Sequence, residues 1–582
     1  MNKKHEILLP RAIHAVPETD KRKLNKQKVA IALLALSAAI FVWIRPVAYG
    51  VQKTGTFLGG TTGFTGYHCN QVPSLVPNSS RLNDSQLFSP KFAATAAKRL
   101  SQAIQIQTVS FDNMTDLVPA NPDASVHLPF LRFHAFLENA FPLVHRHLFR
   151  RVINKYSLLY SWQGVNSDAA PLVLMAHIDV VPVLPETLNQ WTHDPFSGFI
   201  DKENGLLWGR GAGDTKATVL GTLEAVEALL GATDGKYVPN SNIYLAFGHD
   251  EEISGYQGAK SIAKYLQYNL GLAGKVGLIV DEGPAFGQIE DVRLATVGTG
   301  EKGYVDASLT IETKGGHSSV PPKHTGIGYS ALAIAALESQ PYPTTLSDNN
   351  PVLGAVRCYA QHSKKADPFI KWAIENLNHG GRQLLAAKLA ERDVFMAALL
   401  TTTQAADIIS GGLKVNALPE KVTTIINHRI AVDSSLAGTQ EHIKNVLLPV
   451  AILHKLNLTI TQFDDPEKIG FEYGITEAVG KISVAPAFGQ GLEPAPSSPA
   501  NGDESRGWDV LEGTIHHVFD GKEQIIVGPN MMPGNTDTRH YWGLSKTPTN
   551  GNNVHTVDEY IEIGSYIKAI QFYHDLIRNW SE

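Results

Sequence analysis

The chain has 582 residues, too many for one ordinary domain, so two domains with substantial cores are expected. A net charge of -6 gives no support for nucleic-acid binding, which is not expected. With Cys69 and Cys358 the only cysteines, a cysteine-based metal site is excluded and at most one disulfide can form. Any metal must be held by histidines and carboxylates.

Residues 1–28 carry eight basic side chains against three acidic ones, and Val29–Ile44 follows without a charge before Arg45-Pro46. As a helix those sixteen residues span roughly 24 Å, slightly short of a bilayer core of about 30 Å, and Lys28 and Arg45 can snorkel to close the gap. The expectation is a membrane anchor over 29–44, a basic cytosolic tail over 1–28 and a lumenal remainder. The rival is a cleaved signal peptide, for which Ser37-Ala38-Ala39 and Val47-Ala48-Tyr49 offer small residues. Sequons at Asn78, Asn83, Asn113, Asn457 and Asn579 agree with lumenal exposure. Residues 45–87, rich in Gly, Pro, Ser, Thr and Asn, read as a linker, with the folded part beginning near Phe88.

Helical spacing over 90–106 and 128–154 precedes two short strands, Ser157–Trp162 and Leu172–Ala176. The second is apolar on both faces, as suits a sheet covered by helices on both sides. A helix over Thr215–Gly231, a buried strand over Asn242–Phe247, a helix over Ser261–Tyr268 and a strand over Val276–Val280 continue the alternation of an α/β sheet.

After Asp281 the pattern changes. Strands over Tyr304–Thr313, Lys421–Ile430 and Leu456–Phe463, with helices over Ile327–Leu337 and Gln440–Leu448, read as a small antiparallel sheet covered on one face. This α+β insert spans 298–466 and interrupts a catalytic domain made of 88–297 and 467–582. A helical excursion at about 365–407 widens it, and 466–508 reads as loop. The main sheet then resumes at Ile525–Gly528 and closes on a helix over Val557–Asn579. Gly298-Thr299-Gly300-Glu301-Lys302-Gly303 matches GxGxxG by letter but leads into a strand, so it lacks the helix N-terminus that cradles phosphate.

The chemistry-bearing residues sit just past strand ends, where ligand sites of open α/β sheets lie. His177 and Asp179 are two apart and share a face, so Asp179 can fix the imidazole of a metal-ligating His177. Asp214 follows a Gly-rich turn and precedes a helix, where a plain N-cap is the competing role. Glu251-Glu252 is harder to explain without a cation, because adjacent acids at the end of an apolar strand repel each other and lose solvation.

Taken together, these segments resemble the di-zinc peptidase family that includes aminoacylase, bacterial glutamate carboxypeptidase and fungal vacuolar carboxypeptidase S, with the last branch nearest. The resemblance rests on Met175–Val183, Trp191–Gly198, Gly209–Lys216, Phe247–Glu252, Asp281–Gly283, Gly315–Ser319 and Val554–Glu559, and runs from about residue 90 to the end. It implies two Zn²⁺ per chain, with His177 and Asp281 on one, Glu252 and His555 on the other and Asp214 on both. It makes Asp179 the orienting carboxylate and Glu251 the general base. His317 would stabilise the oxyanion, in some relatives from the partner subunit of a homodimer. Asn416 and Arg429 would hold the substrate carboxylate, and Arg539 is a further candidate because a guanidinium fork fits a carboxylate in two places. The insert would act as a ferredoxin-like lid and dimerisation domain.

The implied activity is hydrolysis of the C-terminal amide of short Gly-Xaa peptides in a vacuolar or secretory lumen, anchored or released by cleavage. An N-acyl amino acid hydrolase or condensing enzyme would use the same machinery. A non-catalytic membrane-anchored binding protein is disfavoured by retention of Glu251.

Overall fold

The apolar run Leu172–His177 lies in the middle of a six-stranded mixed sheet in the computed structural model of the chain. The structure describes residues 68–78, 88–111, 114, 124–282, 285–500, 506–545, 548–549 and 557–582, which fall in one compact unit. Across this sheet the order is Phe149–Ile153, Ser157–Trp162, Ile243–Gly248, Leu172–His177, Leu278–Val280 and Pro548–Thr549. The last four run parallel, so their carboxyl ends share one edge of the sheet.

Each central strand is buried on both faces, which is why it reads as a continuous apolar run. Leu158, Leu174, Leu245 and Phe247 face the helices Lys216–Ala232 and Ile563–Ser581. Leu159, Val173, Met175 and Ala246 face the opposite core with Ile262 and Leu266. Each of these Leu, Val, Ile, Met and Phe side chains contributes about 1.5–3 kcal/mol by leaving water.

A second six-stranded sheet has its own core, built from Val305, Leu309, Val422, Ile426, Leu458 and Val484 under the helices Gly326–Ser339 and Leu436–His454. It is not wholly antiparallel, because Leu456–Thr461 runs parallel to Gly480–Pro486. Residues 466–508, expected to be loop, supply two of its strands, Ile469–Tyr473 and Gly480–Pro486. Their short alternation (Ile482 and Val484 inward) is masked in the sequence by flanking Gly and Pro.

Two helices also differ from expectation. The 128–154 stretch breaks at Phe141-Pro142, where the residue before proline leaves the helical region (φ -126°, ψ 66°), and it ends as the strand Phe149–Ile153. The final helix starts at Ile563 because Tyr560–Glu562 pairs instead with Leu206–Trp208.

Cys69 and Cys358 are bonded. Part of the expected linker is therefore held on the folded part: Val72 N donates to Glu512 (2.9 Å) and Leu75 N to the Gly513 carbonyl (2.8 Å). Asn579, 4% exposed, donates to the Leu75 carbonyl and to Thr514 Oγ1, so it cannot serve as a glycan acceptor. Asn83, Asn113 and the expected anchor at 29–44 lie outside the described residues. Among the described residues no helix is long and apolar enough to cross a membrane.

Candidate metal centre and its surroundings

Three adjacent parallel strands deliver the acidic residues to one place. His177 ends its strand, Glu251 and Glu252 form a short 3-10 turn just past Gly248, and Asp281 and Glu282 follow Val280. Asp214 arrives at the end of the loop leading into helix Lys216–Ala232. His177, Asp214 and Glu252 each offer a donor atom within 4.8 Å of the others, and so do His177, Glu251 and Glu282.

Nδ1 of His177 donates to the Asp179 carbonyl (3.0 Å), which fixes the tautomer. The lone pair on Nε2 then faces Asp214 Oδ1 at 2.8 Å and Glu282 Oε1 at 3.4 Å. A lone pair against two carboxylates is repulsive unless a proton or a cation lies between them. One oxygen of Asp281, itself 2% exposed, has no hydrogen-bond partner among the described residues. This set of one imidazole and several hard oxygens fits a divalent metal.

Asp179 has a wider task than orienting His177. Its carboxylate, 3.3 Å from His177 Nδ1, also accepts from Glu251 N (3.1 Å), Glu252 N (3.2 Å) and Ser110 Oγ (2.8 Å). One buried carboxylate therefore braces the turn that carries both glutamates. Glu282 is the participant that sequence reasoning missed; its signal was the second acid of the pair after Val280. His555 lies outside the described residues.

Burial raises nearly every acid here. It pushes Asp250 and Glu301 up to about 7, with neighbouring hydrogen bonds offsetting only part of the effect. Burial and like charge drive Glu251 and Asp537 well above the usual range, and they raise Asp281 and Glu282 as well. For His177 burial alone would lower the pKa, but hydrogen bonds to Asp179, Asp214 and Glu282 win and hold it well above 6.5. Carboxylates raised in the folded state hold protons that the unfolded chain has released. Their stabilisation is complete below about pH 4 and is lost as pH rises through about 7. Metal-free protein should therefore melt at a lower temperature at pH 8 than at pH 5, and divalent metal should shrink the difference. Calorimetric scans at both pH values check this; a metal-free melting temperature that rises with pH contradicts it.

Beside this cluster, Arg429 and Arg539 lie near the ring of Tyr304, at 5.7 Å and 5.9 Å from its centroid. Among the described residues Arg429 Nη1 donates to the amide oxygen of Asn535 (3.3 Å), and Nε of Arg539 has no hydrogen-bond partner. Neither guanidinium forms a carboxylate ion pair among the described residues, and the charge of Arg539 opposes the rise of the buried Asp250, Glu301 and Asp537 carboxyls. Tyr304 was read only as the start of a strand.

His317 and Asn416 come together elsewhere. The short strand Gly316–His317 pairs with Ala417–Leu418, and Ser318 N donates to the Asn416 carbonyl (3.2 Å). Both residues are exposed on this two-stranded ribbon, and the hydrogen bond that His317 makes is with Ser319 N (3.1 Å).

Residues 173–579 match Peptidase family M20/M25/M40. Carboxypeptidase S of Saccharomyces cerevisiae is 37% identical over 535 residues, covering 88% of this chain and 89% of the relative. The N-fatty-acyl-amino acid synthase/hydrolase PM20D1 of Bos taurus is 31% identical over 508 residues, covering 84% of this chain and 89% of that protein. In fold, the chain is similar to the dipeptidase Dug1p from Saccharomyces cerevisiae, with a TM-score of 0.56, 14% identity and coverage of 84% and 96%. It is also similar to human carnosine dipeptidase 1, with a TM-score of 0.55, 14% identity and coverage of 84% and 97%.

Proposed function

The chain belongs to peptidase family M20/M25/M40 and is a metallocarboxypeptidase; from that premise we propose that it releases the C-terminal residue of short Gly-Xaa peptides. The observation that carries this reading is the meeting of His177, Asp214 and Glu252 at the carboxyl ends of parallel strands, in a molecule that also sets Arg429 and Arg539 near the Tyr304 ring.

Two zinc ions would be held by His177, Asp281, Glu252 and His555, with Asp214 shared between them. When bound, they supply a water that is a hydroxide-like nucleophile near neutral pH and a Lewis acid for the scissile carbonyl. Glu251 takes the proton of the attacking water and returns it to the leaving amine. Asp179 holds both His177 and the Glu251-Glu252 backbone in place. Arg429 and Arg539 grip the free carboxylate of the substrate, with Asn416 from the insert, and His317 donates to the developing oxyanion. The insert acts as lid and dimerisation domain, and its free edge strand Thr403–Gly411, with Ile408 and Ile409 exposed, supports a homodimer.

A vacuolar or secretory lumen is supported by the Cys69–Cys358 bond, since disulfides persist in oxidising compartments. Anchoring through 29–44 is retained as part of this proposal on the sequence pattern.

A second reading, hydrolysis or condensation of N-acyl amino acids, is supported by the likeness to N-fatty-acyl-amino acid synthase/hydrolase. Turnover of a blocked Gly-Leu dipeptide is compared with that of a long-chain fatty acyl-leucine, before and after chelation. Faster cleavage of the dipeptide, lost with chelator and regained with Zn²⁺, is expected. Preference for the fatty acyl substrate moves the assignment to the second reading, and chelator-resistant hydrolysis overturns both.

A further inference from the structure

The loop 209–214, which ends in Asp214, contains two positive-φ glycines, Gly209 (φ +146°) and Gly211 (φ +88°), and belongs to no helix or strand. Such a loop needs an outside partner for its backbone donors. Three of them point at one oxygen: the N–H groups of Gly211 (3.0 Å), Gly213 (2.9 Å) and Asp214 (3.2 Å) all donate to Oε1 of Glu559. The other oxygen of Glu559 accepts from Arg210 Nη1 at 2.7 Å, and the Glu559 carbonyl accepts from Gly209 N at 2.9 Å. The Glu559 side chain is 0% exposed. The guanidinium of Arg210 is backed by the Trp191 ring, 5.4 Å to its centroid. A Cβ on Gly211 would come within 2.8 Å of Val180 Cγ1, so the loop is also confined from the side of the His177–Val180 segment.

From this we propose that Glu559 is the positioning residue for Asp214, a buried carboxylate that fixes the backbone of a metal-ligand loop by converging hydrogen bonds. It rests on the reading of Asp214 as a metal ligand. Asp214 N is itself one of the three donors, so a change in Glu559 acts on the ligand's own peptide and not through a distant packing shift. Glu559 also stands four positions beyond His555 in the sequence, so the same residue ties the segment following the last assigned ligand to the loop of the shared one. Outer-shell partners of this kind are worth about 10–100-fold in metal affinity.

The test uses full-length protein with Zn²⁺ as the probe. Zinc affinity by chelator competition and the melting temperature of the zinc-free protein are measured for Glu559→Ala and the isosteric Glu559→Gln. Glu224→Gln serves as a comparator, because it breaks another Arg–Glu ion pair (Arg99–Glu224, 2.8 Å) whose glutamate is buried in helix Lys216–Ala232. Asp214→Asn tests the underlying assignment. Expected is zinc held about 10–100-fold more weakly by Glu559→Ala and about 10-fold more weakly by Glu559→Gln, with Glu224→Gln within about twofold of the unaltered chain at a comparable loss of melting temperature. Should the alanine variant not fold, the glutamine variant decides. Unchanged zinc affinity in Glu559→Gln, or an equal loss in Glu224→Gln, overturns the proposal. If Asp214→Asn also keeps its zinc, the assignment of Asp214 fails first; if only Asp214→Asn loses it, the failure belongs to Glu559 alone.

Discussion

Glu251→Ala is expected to keep its metal and lose about 10²–10⁴-fold in kcat with KM little changed. Glu251 sits on the 3-10 turn beyond the central strand, and its backbone N–H is held by Asp179 at 3.1 Å. The turn therefore keeps its shape when the side chain is removed, because the brace grips main chain. Burial first, and then the nearby charges of Glu282, Asp537 and Glu252, push the Glu251 carboxyl well above its ordinary range, while the His177 charge opposes them. A group so placed takes up a proton readily, and bound cations would bring it back toward neutrality, where a base works best. The measurement is steady-state kinetics beside metal content on one preparation. Oε2 of Glu251 lies 3.9 Å from His177 Nε2, in a donor group with Glu282, so a rival role as a ligand exists. Loss of metal along with activity would favour that rival, and unaltered kcat would remove Glu251 from the chemistry.

Much of the fold was legible in the sequence where one period dominated. The runs at Leu172 and Ile243 are buried on both faces and could hardly be anything but central strands. Lys421–Ile430 alternates cleanly because one of its faces is covered by helices and the other is not. Reading failed where a short element was set among residues that favour turns. Gly480–Pro486 and Tyr560–Glu562 show little of a period among their turn-forming neighbours, and pairing with Ala307–Thr313 and Leu456–Ile460, and with Leu206–Trp208, makes them strands. In the site, strand ends marked His177, Glu251 and Glu252, since polar residues after an apolar run stand out. The double duty of Asp179, the contribution of Glu282 and the Arg429–Tyr304–Arg539 grouping depend on which strands are neighbours. No local pattern carries that information. Sequon counting misled at Asn579, where local letters say nothing of the Thr514 hydroxyl and Leu75 carbonyl that bury the amide.

His317→Ala should lower kcat by about 10²–10³-fold, the cost of one oxyanion donor, and the loss should be repairable by a second, different, inactive chain. His317 is exposed on a two-stranded ribbon, hydrogen-bonded to Ser319 and, among the described residues, to none of the clustered acids. Around it Leu413, Val415 and Val320 are 105%, 96% and 81% exposed, an apolar tip that a lone subunit leaves in water at a cost. A homodimer that covers this tip would carry His317 of each chain to the site of the other. Mixed dimers of Glu251→Ala and His317→Ala chains discriminate the two arrangements. If the histidine serves the partner, one site of each mixed dimer holds both an intact base and an intact oxyanion donor. Random reassociation then restores about a quarter of the unaltered activity, since about half of the dimers are mixed and half of their sites are complete. If His317 serves its own chain, every site lacks one group and mixing restores nothing. Coexpression with two affinity tags, followed by activity and mass measurements on the doubly tagged species, separates these outcomes. A doubly tagged dimer with no more activity than its parents would return His317 to its own subunit, and a chain that stays monomeric would remove the partner from the reading.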